Sequence, residues 1–459
     1  MKQKREEFRQ QIRKQANEKI FSQVRGLIKK SNQEQNQMVT TESEFFQELA
    51  LQIKKDFDEK NLLKIFKKWE DNFDKKQLQI LLFNKEFPYF KFLIANFKMT
   101  KKYIKILIFI FVAIEHDISE VHNALYQYQL LNQLQSNFEK LDQEMQQQIM
   151  FLFSVLVQYS QLYRLAIKNS KVMDIVVTQF INQKINNFTQ NYVECFLFMI
   201  WSLINPDISS MSDLFEWLFD CLLNLNIALI DFQSEYLLPI IFKAASQFTF
   251  CREKLLQKNM DQIIHQLQSQ NKNQTIYLEF LDFLNHLQMQ QPDIFIQFFI
   301  EYCWNIIKQI LIQSDFIQEA KIRSGYLLLE AVNNREIEEF LKAQNILNEI
   351  LNLILQTQNF DLIQVYFNLL QVLLIQEQCQ SNQMDLLAQG IIHSVTLTNE
   401  IQLVQVWQVI LYLMQDLENK EILIEYLRKY NFKRIMENCL QIVKNSMISN
   451  IINRCFELL

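Results

Sequence analysis

The chain has 459 residues, 49% of them hydrophobic, and a formal net charge of −5. It contains 3 glycines and 4 prolines, whereas ordinary usage is about 7% and 5% of residues. Sheets, hairpins and phosphate-binding loops rely on glycine for turns with positive φ. The composition therefore argues against these structures and predicts an all-α protein.

The seven cysteines are widely spaced in mostly apolar runs, which is typical of buried thiols in a reducing compartment. Met1 leads into charged residues, so no signal peptide is expected. The most apolar run, 106–114, is shorter than the roughly 20 residues that a membrane-spanning helix needs. We therefore expect a soluble protein of the cell interior.

Charge divides the chain into two parts of opposite sign. Residues 1–30 hold ten Lys and Arg against three acidic residues, a net charge of +7, and the remaining 36 basic and 48 acidic residues give −12. Such an asymmetry predicts an acidic partner for the basic segment, or contact between this segment and the acidic body.

The basic segment has the periodicity of one amphipathic helix over residues 4–30, because an apolar row and a row of arginines both repeat every four residues. Residues 31–43 are polar and aperiodic, and we predict a flexible linker there. Thr41 and Glu44 then form a capping box for the first helix of a body that extends over 44–459.

In the body, apolar helical segments alternate with short polar breaks. The segment 201–205 is equivalent to 243–247, and this spacing of 42 residues falls within the armadillo/HEAT period of about 40–47. We predict a right-handed superhelical armadillo/HEAT-type α-solenoid with an N-terminal basic amphipathic helix; a globular helical bundle is the alternative. The predicted breaks include 169–174, 205–213, 257–261 and 343–346.

The sequence KREEFRQQIRKQANEKIFSQVRGLIKK (4–30) resembles the importin-β-binding helix of the importin-α family, which has a basic-acidic start and an FR-x-x-[IL]-RK centre. The resemblance implies that this helix binds an importin-β-like carrier. A basic helical arm that contacts nucleic acid or an anionic membrane is the alternative. The residues implied in carrier binding are Arg5, Phe8, Arg9, Ile12, Arg13 and Lys14.

The body resembles the same family at its Trp-x-x-x-Asn motif, in which the tryptophan packs on cargo lysine stems and the asparagine holds the cargo backbone. Trp201 and Asn205 match both positions, and a tryptophan of the apolar core is the alternative reading. In neighbouring repeats Phe151 and Val155, and Lys243 and Gln247, stand at the two positions. Further candidates for the aromatic position are Tyr326 and Trp407, which are followed four residues later by Glu330 and Leu411.

Catalytic motifs are absent from the sequence. Its five histidines form no metal-binding pattern, and three glycines cannot build a nucleotide-binding loop or a nucleophile elbow. We expect no enzyme activity, no cofactor and no metal.

The resemblance implies an importin-α-like nuclear import adaptor that moves between cytoplasm and nucleus. Its expected partners are an importin-β-like carrier and cargo proteins with extended basic segments, without nucleic acid or membrane. The alternative is an armadillo/HEAT-type structural scaffold or interaction module without a transport role.

Overall fold

The computed structural model describes residues 89–95, 97, 99–113, 129–157, 161–182, 188–205, 207–228, 234–258, 260–269, 274–374, 381–397 and 400–459. These residues form helices and contain no strand, which confirms the all-α prediction for this part of the chain. The predicted helix 1–30 with Arg5, Phe8, Arg9, Ile12, Arg13 and Lys14, the linker 31–43 and the beginning of the body lie outside it.

The chain divides into two compact units, Met1–Leu214 and Phe215–Leu459. In the first unit the helices are α1 (Tyr89–Ala95), α2 (Lys101–Ala113), α3 (Leu130–Asn137), α4 (Gln143–Leu156), α5 (Gln161–Lys168), α6 (Lys171–Asn182) and α7 (Gln190–Ile204). Single 3₁₀ turns occupy Phe138–Lys140 and Ser209–Met211, and the boundary between the units falls within α8 (Ser212–Ala228).

Helices α2, α4 and α7 form a stack in the first unit, in which α4 packs against both of the others. Side-chain caps fix where two of them begin: Asp142 accepts the Met145 N–H at 2.8 Å, and Thr189 accepts the Tyr192 N–H at 3.3 Å. Tyr192 also donates to Oε1 of Gln146 on α4 at 2.8 Å, so hydrogen bonding between the helices joins residues 46 apart.

The second unit contains a longer stack of the same kind. Its helices are α9 (Leu237–Gln247), α10 (Thr249–Leu256), α11 (Met260–Ser269), α12 (Gln274–Gln290), α13 (Pro292–Phe298), α14 (Trp304–Ile312), α15 (Gln318–Ala331), α16 (Arg335–Ala343), α17 (Ile346–Gln356), α18 (Phe360–Leu374), α19 (Ser381–Thr396), α20 (Glu400–Asp416), α21 (Lys420–Lys429), α22 (Phe432–Ile442) and α23 (Ser446–Leu458). Helices α9, α12, α15, α18, α20 and α23 pack successively in one row, and α17, α19 and α21 form a second row.

Hydrogen bonds between neighbouring helices of the second unit repeat at nearly constant separation along the chain. Arg323 and Asp282 are 41 residues apart, as are Asn359 and Gln318, and Tyr430 and Asp385 are 45 apart. These separations agree with the period of about 40–47 residues that the sequence predicts. The packing within each unit is compatible with an α-solenoid.

Two turns between helices of the second unit place an asparagine in the left-handed region. Asn345 has φ 55° between α16 and α17, and Asn431 has φ 58° between α21 and α22. Asparagine tolerates the left-handed region better than most residues with a side chain, which explains how two helices join there through two residues. The predicted break at 343–346 is confirmed, since α16 ends at Ala343 and α17 begins at Ile346.

Helices α13 and α14 are joined by one π-helical turn, Phe299–Cys303, into a continuous helix of 21 residues from Pro292 to Ile312. By length and composition alone this helix is long and apolar enough to cross a membrane. The sequence pattern had not indicated a segment of this kind at 292–312. Half of its apolar window is buried inside the protein, against neighbours that include α12 and α15. Such burial is equally typical of a core helix.

A buried arginine closes one end of the α9 helix. The guanidinium of Arg252, which is 1% exposed, donates to the carbonyl oxygens of Ala245 at 3.1 Å and Ser246 at 3.3 Å, and also to the side chain of Gln290. These carbonyls belong to the last turn of α9, where the helix itself has no further N–H groups to donate to them. Burial lowers the pKa of Arg252. The side chain therefore ties the end of α9 to the end of α12.

Candidate functional site

The partly exposed side of the α4–α7 pair carries a row of aromatic and polar side chains. The rings of Phe151 and Phe198 stack with centroids 5.8 Å apart and planes at 29°. Gln143 lies at the start of α4, where its Oε1 accepts the Thr189 N–H at 3.4 Å. On α7 the corresponding row is Glu194, Phe198, Trp201 and Asn205.

Trp201 lies on this row but shows little of its surface. It is 8% exposed, although most other apolar residues of α7 are fully buried. Asn205 is half-buried and terminates α7, where its N–H donates to the Trp201 carbonyl at 2.9 Å. The structure thus brings both predicted residues to one face, with the carboxamide at the helix end and most of the indole packed inside.

The packing register between α4 and α7 differs from the alignment of repeats that the sequence suggests. That alignment pairs Phe151 with Trp201, which are 50 residues apart, and Val155 with Asn205. In the structure Phe151 stacks on Phe198 instead, because side chains across the two helices pair at separations of about 46 residues. Val155 is buried with 4% exposure and offers no polar group.

Lys243 projects from α9 towards α12 in the second unit. Its Nζ lies 3.3 Å from Oε1 of Glu279, and the two side chains are 14% and 15% exposed. Burial raises the pKa of Glu279, although Lys243 opposes that shift. Gln247, the other predicted residue of this repeat, is exposed at the last position of α9. The cation at the tryptophan-like position is therefore neutralised by its own protein.

A second ion-pair group lies one helix further along the same stack. Nη1 of Arg323 is 2.7 Å from Oδ1 of Asp282 on α12, and its Nε is 2.8 Å from Oε1 of Glu319 on α15. Burial alone would lower the pKa of Arg323, but the two carboxylates raise it above its usual value. Arg323 therefore remains a fixed cation between two acidic side chains.

Tyr326, one turn after Arg323, is 44% exposed. Partial burial raises its pKa, and so does the negative charge of Asp361 on α18. Glu330 follows one turn later and is exposed. Trp407 differs, because it is fully buried and stacks on Phe432 with centroids 6.0 Å apart. Of the two further aromatic candidates, only Tyr326 presents its ring at the surface.

The partly exposed side of α9, α12, α15 and α18 forms what we call the acidic face. It combines an accessible tyrosine ring with an excess of three negative charges among its named members. A ring face and nearby carboxylates attract the ammonium or guanidinium of a basic side chain. The charged members are Lys243 and Arg323 with Glu279, Asp282, Glu319, Glu330 and Asp361.

Five members of this face were not singled out from the sequence: Glu279, Asp282, Glu319, Arg323 and Asp361. The spacing of Glu319 and Arg323 by four residues is a visible signal for a pair on one helix. Asp282 and Arg323, 41 residues apart, also match the repeat period. Neither signal shows which side chains face each other until the helix register is known, because a shift of one residue rotates a side chain by about 100°.

Nucleophilic chemistry is disfavoured at the cysteines that the structure describes. Burial raises the pKa of Cys195, Cys251 and Cys455 to about 12, and raises that of Cys303 well above its usual value. Such thiols stay protonated at neutral pH and are poor nucleophiles. In the described part of the chain, no group of three His, Cys, Asp or Glu side chains is arranged to hold a metal ion.

No protein-family model matches the chain, and no curated protein matches it. Among solved structures, it is similar to a crystal structure of an engineered protein from the Northeast Structural Genomics Consortium, with a TM-score of 0.58 and 10% sequence identity. The match covers 90% of this chain and 98% of the engineered protein. At this identity the similarity concerns the fold alone.

Proposed function

We propose that the chain is a divergent importin-α-like nuclear import adaptor built on a superhelical armadillo-type solenoid. Residues 4–30 bind an importin-β-like carrier, and the partly exposed helix faces bind extended basic segments of cargo proteins. The single observation that carries the proposal is the N-terminal register, in which Arg5, Phe8, Arg9, Ile12, Arg13 and Lys14 match the family's carrier-binding helix without a gap.

The physical argument for the carrier rests on charge and on the weakness of isolated helices. A lone helix of this kind is marginally stable in water and gains its order from a partner. An acidic groove supplies that partner, because arginines pair with its carboxylates while Phe8 and Ile12 pack. The net charge of +7 over residues 1–30 suits an acidic carrier.

The acidic face supports the cargo half of the proposal. Tyr326 offers a ring on which the aliphatic stem of a cargo lysine or arginine packs, and Asp361 and Glu330 offer carboxylates for its charge. Lys243 and Arg323 are already paired with acidic side chains, so their charges repel a basic segment less than free cations would.

The carrier half is tested with the full-length chain and purified importin-β. We expect binding of the wild type and at least tenfold weaker binding of the double variant Arg13→Glu with Lys14→Glu. The matched control is Lys433→Glu with Arg434→Glu, which makes the same charge change at exposed positions of α22, outside residues 4–30, and should retain most affinity. Absence of wild-type binding, or equal loss in both variants, would contradict the proposal.

The cargo half is tested by fluorescence anisotropy with a labelled extended peptide that contains five consecutive Lys and Arg residues. Tyr326→Ala combined with Asp361→Asn should weaken binding at least fivefold. Glu425→Gln, an exposed charge loss on α21, is the control and should change affinity little. Equal affinity in all three proteins would remove the acidic face as a cargo site.

One observation favours the scaffold alternative. Trp201 is 8% exposed and offers little ring surface to a ligand, as expected of a core residue in a helical scaffold. Cellular location separates the two functions. An adaptor accumulates in the nucleus when export is blocked, whereas a scaffold stays in a fixed assembly.

A further inference from the structure

A small cleft lies between α13 and α16, away from the residues that the proposed transport function uses. Its volume is about 290 Å³. Ligand pockets start at about 300 Å³, so this cleft suits one or two side chains and not a whole small molecule. We call it the α13–α16 cleft, and its lining residues are Asp293, Ile296, Gln297, Ile300, Glu301 and Glu336.

The lining has an apolar floor and an acidic rim. Ile296 and Ile300 are half-buried and lie four residues apart along the continuous helix. Beside them runs an exposed polar row at the same spacing, Asp293, Gln297 and Glu301, in which the Gln297 amide donates to Glu301 at 3.1 Å. The opposite wall adds the exposed carboxylate of Glu336 from α16.

In the part of the chain that the structure describes, the carboxylates of Asp293, Glu301 and Glu336 form no ion pair. The two nearby cations of α16 are engaged elsewhere, since Arg335 pairs with Glu339 and Lys342 pairs with Glu338, each at 2.8 Å. Three carboxylates that are not paired with a cation therefore surround the apolar floor of the cleft.

Helix-end stabilisation explains part of this composition. Asp293 and Glu336 stand in the first turns of α13 and α16, where the helix dipole favours a negative charge. It does not explain Glu301, which lies two turns into the helix, nor the isoleucine strip between the charges. An apolar floor with an acidic rim is complementary to a ligand that carries both an apolar group and positive charges.

We propose that the α13–α16 cleft binds a basic amphipathic helix of a partner protein. An apolar side chain of that helix packs on Ile296 and Ile300, and Lys or Arg residues in the adjacent row pair with Asp293, Glu301 and Glu336. The helical form follows from the two rows of the cleft, whose four-residue spacing matches a helix with one apolar and one basic row. This site is separate from the acidic face and is a second interaction surface.

The test uses the full-length chain and two labelled synthetic peptides of 18 residues. In the first, leucines and arginines occupy two adjacent rows at four-residue spacing; in the second, the same residues are scrambled so that no apolar row remains. We expect the first peptide to bind at least tenfold more tightly in fluorescence anisotropy at 0.15 M salt. Equal binding of both peptides would reduce the interaction to unspecific charge attraction and overturn the proposal.

Variants locate the site. Asp293→Lys with Glu301→Lys should weaken binding of the first peptide at least tenfold, and Ile300→Ala should weaken it about threefold. The control Glu421→Lys with Glu425→Lys makes the same charge change at exposed positions of α21 and should retain most of the affinity. Circular dichroism melting verifies that each variant is folded. If the control loses as much affinity as the cleft variant, the cleft is not the site.

A further variant distinguishes binding at the α13–α16 cleft from binding at the acidic face. Tyr326→Ala with Asp361→Asn should leave the affinity for the amphipathic peptide unchanged, whereas it weakens the extended basic peptide described above. Failure of one proposal is therefore visible separately from failure of the other. A loss of amphipathic-peptide binding in this variant would overturn the assignment to the α13–α16 cleft.

Discussion

Arg323 of α15 bridges two carboxylates, one on its own helix and one on a neighbour. It lies 2.7 Å from Asp282 of α12 and 2.8 Å from Glu319, with 25% of its side chain exposed. Arg335 forms a geometrically similar pair with Glu339 at 2.8 Å, but 89% of its side chain is exposed. The two arginines therefore differ mainly in burial and in the contact between helices.

The first prediction uses this contrast. Arg323→Ala should lower the free energy of unfolding by about 1–2 kcal/mol, because it leaves two partly buried carboxylates without their partner. Arg335→Ala should change it far less, because exposed ion pairs contribute little to stability. Urea denaturation followed by circular dichroism measures both. Equal losses would mean that the contact with Asp282 adds no stability.

The second prediction concerns close helix packing at Gly325. A Cβ atom there would overlap Cγ1 of Val365 on α18, whereas a Cβ at Gly390 would meet Cγ2 of Ile354 at 3.2 Å. Gly325→Ala should destabilise the protein by about 1–3 kcal/mol through overpacking. Gly390→Ala should be nearly neutral, because a gain of about 1 kcal/mol in helix propensity offsets mild crowding.

The double variant Gly325→Ala with Val365→Ala checks the cause of this loss. If overlap with the valine is responsible, removing its methyl groups restores part of the stability, and the two changes are not additive. Thermal melting of the four proteins completes the cycle. Strict additivity would point to a cause other than contact between these two residues.

The third prediction concerns the turn at Asn345, where φ is 55°. Asn345→Ala should cost about 1 kcal/mol, because a Cβ without a local hydrogen-bonding group is strained in the left-handed region. Asn345→Gly should be neutral or slightly stabilising, since glycine adopts this region without strain. Asn305→Ala, an exposed position within α14, serves as the control and should not destabilise. Equal losses in the Ala and Gly variants at 345 would exclude backbone strain as the cause.

The fourth prediction follows from the raised pKa of Glu279, which results from burial and is opposed by Lys243. A carboxyl whose pKa is higher in the folded state than in the unfolded state binds protons more strongly when folded. Its contribution therefore becomes unfavourable as pH rises from the unfolded value of about 4.3 through the raised folded value. Below that window the contribution vanishes.

Glu279→Gln removes this titration while keeping a similar shape. The difference in unfolding free energy between the variant and the wild type should shift in favour of the variant as pH rises from 4 to 7. Denaturant titrations at four pH values measure the effect. A difference that is constant with pH, or that shifts towards the wild type, would contradict the assignment.

The all-α class was predictable from the sequence, because glycine and proline are so scarce that helices are the main regular structure left. The break at 343–346 was also predictable, since Asn345 is a residue type that tolerates positive φ. The period of 42 residues anticipated the spacing of the contacts between α12 and α15. These features depend on local chemistry, which a sequence displays directly.

The candidate site was less predictable, because it depends on register and burial. Phe151 stacks on Phe198, since the packing separation differs by a few residues from the apparent alignment of repeats. Trp407 and Tyr326 look alike in sequence, yet one is fully buried and the other 44% exposed. The four-residue spacing of Glu319 and Arg323 is visible in the sequence, but the pair of Arg323 with Asp282 joins two helices and depends on their register.

The regular spacing of contacts has a consequence for how the chain assembles. Side-chain hydrogen bonds between stacked helices, such as those of Tyr192 and Arg323, join residues 46 and 41 apart. A ribosome adds about 5–20 residues per second, so each helix meets its stacking partner within roughly 2–9 s of synthesis. Each unit can thus begin to fold from its first repeat while the rest of the chain is still being synthesised. The apolar helix faces are then buried soon after synthesis, because their packing partners are close in sequence.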